Sequence, residues 1–168
     1  MSDDNAPEIV TNIGQFVLDK TPNILVCLGL GSCVGVSLYQ DAEHSAGLMH
    51  VMLPKSTNKE NKDDFKSNHF KYADVGLPLL VEELKRAGCT KDKLKAKIAG
   101  GAHMFKNTIT QESMDIGAKN IDAVKSTLEE LKIKIIAEDV GGAIGRTMKV
   151  DTKTGDVTIK TKEGIKTI

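Results

Sequence analysis

A chain of 168 residues is long enough to bury one hydrophobic core without a staple and fits one domain. Its 40% hydrophobic and 27% charged residues are ordinary for a globular protein, and 23 basic residues balance 23 acidic ones, which removes the electrostatic case for nucleic acid or an anionic membrane surface as partner. No apolar run approaches the roughly 20 residues of a membrane span, so no membrane insertion is expected, and Cys27, Cys33 and Cys89 form neither a CxxC pair nor a disulfide framework.

The opening residues, MSDDNAPE, are acidic and polar and lack the basic and apolar regions of an export signal. Residues 1–12 therefore read as a flexible N-terminus, and unpaired cysteines fit a reducing, cytoplasmic setting. From Ile13 to Leu53 the chain is rich in β-branched and apolar residues, and strands are expected at 13–19, 23–28, 33–39 and 47–53, broken at Thr21-Pro22 and Gln40-Asp41. Residues 55–71, KSTNKENKDDFKSNHFK, hold little apolar surface beyond Phe65 and Phe70 and read as a mobile, solvated connector. An amphipathic helix follows at 74–88, with Leu77, Leu80, Val81 and Leu84 on its apolar side, Pro78 in its first turn, Lys85 and Arg86 near its end and Gly88 as its cap. A second helix is expected at 118–132, capped by Asn120 and presenting Ile121, Val124, Leu128 and Leu131 on one face. Segments 95–100, 133–140, 146–151, 156–162 and 164–168 read as strands joined by glycine-containing links. With no internal repeat and no linker, residues 1–168 are expected to form a single domain.

The stretch CLGLGSCVGVSLY, residues 27–39, places Cys33 at the lip of a tight small-residue bend. A thiol attacks a carbonyl carbon as its thiolate, and with a pKa near 8.5 only a few per cent is ionised at neutral pH, so a nucleophilic Cys33 needs a helper. Four histidines are available. His50, in GLMHVML, lies in a strand able to pair with the one that begins at Cys33, since only a short turn around 40–46 separates them. His44 in its turn and His69 in the polar loop read as solvated, and His103, after a double glycine, as the finish of a strand. The glycine spacing GxGxxxG, followed by strand rather than helix, does not fit a dinucleotide fingerprint; there is no Walker A motif and no zinc-motif spacing, so no cofactor and no metal is expected.

The ordered set LGLGSCVGV (28–36), GLMHVMLP (47–54), KYADVGLPLLVEEL (71–84), AKIAGGAHMF (96–105), IGAKNIDAV (116–124) and EDVGGAIGR (138–146) resembles the chemoreceptor glutamine deamidase family, CheD, from about Ile13 to Thr158. The resemblance implies an α+β fold: two packed mixed β-sheets with flanking α-helices, like that of a cysteine hydrolase. It implies a protein-glutamine deamidase that converts specific glutamines of methyl-accepting chemoreceptors to glutamate through a Cys thioester, with Cys33 as nucleophile and His50 as general acid and base. Backbone N–H groups of the Gly31–Val34 bend, with Ser32 contributing by side chain or backbone, are the expected oxyanion donors. The family's third catalytic position, six residues before the nucleophile, is usually a threonine that orients the histidine; here it is Cys27, which either orients His50 weakly or packs while another group orients the ring. A reversible Cys27–Cys33 disulfide that silences the enzyme is a further expectation, tested by thiol counting and by activity after peroxide and reductant. The implied partners are receptor cytoplasmic domains and a CheC-type phosphatase. Two alternatives stand beside this reading: a regulatory partner of that phosphatase with vestigial chemistry, and hydrolysis of receptor glutamate methyl esters by the same thioester route.

Overall fold

The computed structural model describes residues 5–20, 22–41, 45–56, 69–104 and 115–168. Among these, ten strands and two helices follow in chain order: β1 (Glu8–Val10), β2 (Phe16–Lys20), β3 (Ile24–Leu30), β4 (Val34–Gln40), β5 (Ser45–Val51), α1 (Ala73–Arg86), β6 (Lys95–Gly100), α2 (Ile116–Glu130), β7 (Lys134–Val140), β8 (Arg146–Asp151), β9 (Val157–Thr161) and β10 (Gly164–Thr167). They make two five-stranded mixed sheets, one ordered β1-β3-β8-β9-β10 and the other β2-β5-β4-β6-β7. With the two helices, this is the α+β architecture expected from the sequence.

Period-2 alternation explains the layering. All seven residues of β4 are buried, and so are all seven of β5, so both faces of this central strand pair are covered. Val34, Val36, Leu38, Met49 and Val51 join Leu77, Leu80, Leu84, Val124 and Leu128 in a core between the second sheet and the helices. Tyr39, Ala46 and Leu48 point the other way and join Leu25, Cys27, Leu30, Met148, Val150 and Ile159 between the two sheets. Each fully buried leucine here contributes roughly 1.5–3 kcal/mol relative to exposure. The helices press closely on their sheet: a Cβ on Gly76 of α1 would strike the Met49 side chain and the Phe70 carbonyl.

Three local expectations change. Within residues 1–12, Glu8–Val10 is a strand rather than a flexible tail: it pairs in parallel with Ile24–Val26, and the Thr11 N–H continues the contact by donating to the Val26 carbonyl at 2.7 Å. Helix α1 begins at Ala73, which moves Pro78 into the second turn, while Gly88 does terminate the helix, with φ +104° and its N–H on the Lys85 carbonyl. Asp115 and not Asn120 caps α2, accepting from the Ala118 N–H at 3.0 Å, because the helix starts earlier than the apolar spacing suggested. Most of the polar connector expected at 55–71 lies outside the described residues, as does His44; the described part ends in a 3₁₀ turn, His69–Lys71.

Candidate active site

The site is assembled where β3 leaves the first sheet and β4 enters the second. The β3–β8 register shifts between Cys27 and Leu30, and Gly29, with φ +60°, carries the chain through the irregularity into the Gly31–Ser32–Cys33 bend. Three successive carbonyls of that bend are held. Gly31 accepts from the Ala102 N–H at 2.8 Å, Cys33 accepts from the Gly101 N–H at 2.8 Å, and Ser32 accepts from the Asn120 side-chain amide at 2.9 Å. Among the described residues no hydrogen bond uses the amide of Ser32 or of Cys33. A bend tethered through its carbonyls therefore has two amides left to donate.

Antiparallel pairing of β4 with β5 brings Cys33 and His50 to one face. Gly35 lies directly opposite His50. Cys33 is two residues before Gly35, so it occupies the diagonal position to His50 on the same face, where long side chains reach one another across about 7–8 Å. Gly35 supplies no side chain to stand between them. All three cysteines are free, and only Cys33 is partly exposed; Cys27 and Cys89 are buried. His50 is 2% exposed.

Electrostatics follow from that burial. Desolvation raises the Cys33 thiol above its ordinary pKa. Desolvation also lowers the His50 imidazole, an effect that the nearby Thr11 backbone partly opposes. The Thr11 approach is looser than a full hydrogen bond, and both His50 ring nitrogens are buried without a partner among the described residues. Cys27 is pushed far above the ordinary thiol range, first by burial and then by the charge Cys33 would carry. At neutral pH the resting pair is thus thiol and neutral imidazole.

Cys33, His50 and Cys27 all face the layer between the sheets, and Ser32 sits in the bend beside Cys33. Cys27 packs in the apolar cluster, its sulfur 3.7 Å from where a Gly35 Cβ would be. His103 lies in the turn after β6, 3.5 Å from the Asp115 carboxylate. Asn120, expected as a helix cap, is instead fully buried and ties the Ser32 carbonyl to the Met52 carbonyl at 2.9 and 3.1 Å, bracing the Cys33 bend against the end of β5. Its signal was present: an amide on the buried stripe that also carries Gly117, Val124, Thr127 and Leu128. The sequence reading missed the role of EDVGGAIGR, whose Arg146 is buried and donates to the Asp139, Gly141 and Ile144 carbonyls.

Among the described residues, no group of three or more His, Cys, Asp and Glu side chains is arranged to hold a metal ion, and no helix is long and apolar enough to cross a membrane. A half-buried thiol diagonal to a neutral imidazole, beside a bend with unused amides, fits acyl transfer by a cysteine nucleophile. Residues 52–161 match the family model described as CheD chemotactic sensory transduction. A probable chemoreceptor glutamine deamidase CheD of Clostridium botulinum (strain Eklund 17B, type B) is 47% identical over 155 residues, covering 91% of this chain and 92% of that protein. Its counterpart from the Hall strain, type A, is 46% identical over 154 residues, covering 92% and 93%. The chain belongs to the CheD family of chemoreceptor glutamine deamidases. Among solved structures, a hypothetical protein YfiH of Bacillus licheniformis aligns over 85% of this chain and 61% of its own with a TM-score of 0.48 at 12% identity.

Proposed function

We propose that this chain hydrolyses the side-chain amide of specific glutamines on the cytoplasmic domains of methyl-accepting chemoreceptors, with Cys33 as nucleophile and His50 as general base and acid. The observation that carries the reading is the diagonal placement of the partly exposed Cys33 and the buried His50 across Gly35, in a member of this family. His50, neutral at rest, takes the thiol proton as sulfur attacks the carboxamide carbon. The Ser32 and Cys33 amides donate to the oxygen of the tetrahedral intermediate. The imidazolium then returns its proton to nitrogen, the C–N bond breaks and ammonia leaves a thioester on Cys33. Water attacks that thioester while His50 takes its proton, and collapse of the second intermediate releases glutamate and restores the thiol. Cys27 takes no part in proton transfer in this scheme: its raised pKa keeps it a thiol, and its sulfur packs.

The test is incubation with receptor cytoplasmic fragments and mass spectrometry of their peptides, beside Cys33→Ala and His50→Ala. Wild-type protein is expected to convert amide to acid, a mass gain, and both variants to fail; conversion surviving in Cys33→Ala overturns the mechanism. Hydrolysis of a methyl ester lowers the mass instead, so the same spectra separate the two reactions. We extend the proposal to a CheC-type phosphatase as binding partner on family membership. Tight binding to that phosphatase with no conversion of any receptor fragment supports the regulatory-module reading in its place.

A further inference from the structure

The segment Thr11–Gln15 wraps His50. The Gly14 N–H donates to the His50 carbonyl at 2.9 Å, the His50 N–H donates to the Gln15 carbonyl at 2.9 Å, and the Thr11 backbone approaches the ring itself. Parallel pairing of Val10 with Val26, extended by one residue, sets Thr11 beside Cys27. Thr11 is 2% exposed and, like Ile9 two residues before it, faces the layer between the sheets. Its hydroxyl is buried without a hydrogen-bond partner among the described residues, and so are both nitrogens of His50. Leaving a buried polar group unsatisfied is costly, and a hydrogen bond between the Thr11 hydroxyl and one ring nitrogen satisfies two of these three atoms at once.

Resting on the catalytic reading above, we infer that Thr11 is the positioning residue for His50, its hydroxyl supplying from the neighbouring strand the hydrogen bond that Cys27 is poorly suited to make. The hydroxyl accepts from the ring N–H directed away from Cys33, which fixes the tautomer and leaves the other nitrogen to take the thiol proton. Cys27 then has only a packing role, in keeping with its place in the apolar cluster against Gly35.

The experiment combines kinetics with a spectroscopic readout. Thr11→Val keeps the shape of the side chain and removes the hydroxyl; it is expected to lower kcat by about 10- to 100-fold with KM nearly unchanged, as for a misaligned catalytic group. Thr11→Ser is expected to retain activity, and adding Cys27→Thr to Thr11→Val to recover most of it, because a hydroxyl then returns from the adjacent strand. Wild-type kcat in Thr11→Val, or equal losses in Val and Ser variants with no rescue by Cys27→Thr, overturns the inference. The long-range ¹H–¹⁵N spectrum of the His50 ring reads the same contact without turnover: a single fixed tautomer is expected in the wild-type protein, and a mobile ring exchanging between tautomers there overturns the inference even if Thr11→Val does not fold. A fixed ring in a protein that converts no glutamine leaves the positioning role standing and removes the deamidase reading instead.

Discussion

Cys33 and His50 are moved in opposite directions by the same cause. Burial disfavours charge, which raises the thiol and lowers the imidazole, so the proton rests on sulfur and the ring rests neutral. Two pH profiles follow. Alkylation of Cys33 by iodoacetamide should accelerate only above the ordinary thiol range of about 8.5, whereas kcat/KM should rise with pH through a value below 6.5, where His50 loses its proton. A thiol that alkylates at full rate at pH 7 would instead indicate a resting thiolate–imidazolium pair. Asn120 makes a second prediction at this scale. Asn120→Leu leaves the Ser32 and Met52 carbonyls without their donor, at a cost of about 0.5–1.5 kcal/mol for each hydrogen bond, and should show as a lower midpoint in urea with faster alkylation of Cys33. The placement of Cys33 and His50 on one face was readable because cysteine beside glycines and histidine within an apolar strand are each out of keeping with their surroundings. Thr11 was not, because nothing local in VTNIG tells a buried hydroxyl from one in a solvated tail.

The elements around the bend act as its clamp. The turn after β6 donates from Gly101 and Ala102 to the Cys33 and Gly31 carbonyls, while Gly117 in the first turn of α2 packs on the Gly101 and Ala102 carbonyls. Gly100 is the least replaceable residue of this clamp: its φ is +107°, and a Cβ there would collide with the Cys33 carbonyl. Gly100→Ala should cost about 1–3 kcal/mol in backbone conformation alone, with more from the collision, and should abolish turnover by moving the bend. Differential scanning calorimetry and a kcat measurement check it, and an active Gly100→Ala protein with wild-type thermal stability would contradict the clamp. Periodicity was enough to place both helices and the later strands, since their apolar residues recur at the helical and strand periods. It could not place β1, whose three residues, Glu8–Val10, are half exposed and gain their order from the parallel partner Ile24–Val26. It also mistook Asn120 for a cap, because capping and bracing draw on the same short amide.

At the scale of the molecule, the two sheets and the helix layer bury His50, and this couples folding to pH. Its folded pKa lies below 6.5, so the unfolded chain takes up a proton first as pH falls. The stabilisation linked to the neutral ring is complete above about 6.5 and is lost as pH drops through the folded value. Thermal melts should therefore show the wild-type protein losing stability below that point more steeply than His50→Gln, and parallel curves for the two would rule out the coupling. The same burial keeps the imidazole neutral in the layer between the sheets that also holds Cys33. The most direct test is an acid quench of the protein during turnover of a receptor fragment, followed by mapping of covalent adducts by mass spectrometry. A thioester on Cys33, released by hydroxylamine and missing in Cys33→Ala, is the predicted result. Undiminished glutamine conversion by Cys33→Ala would contradict it.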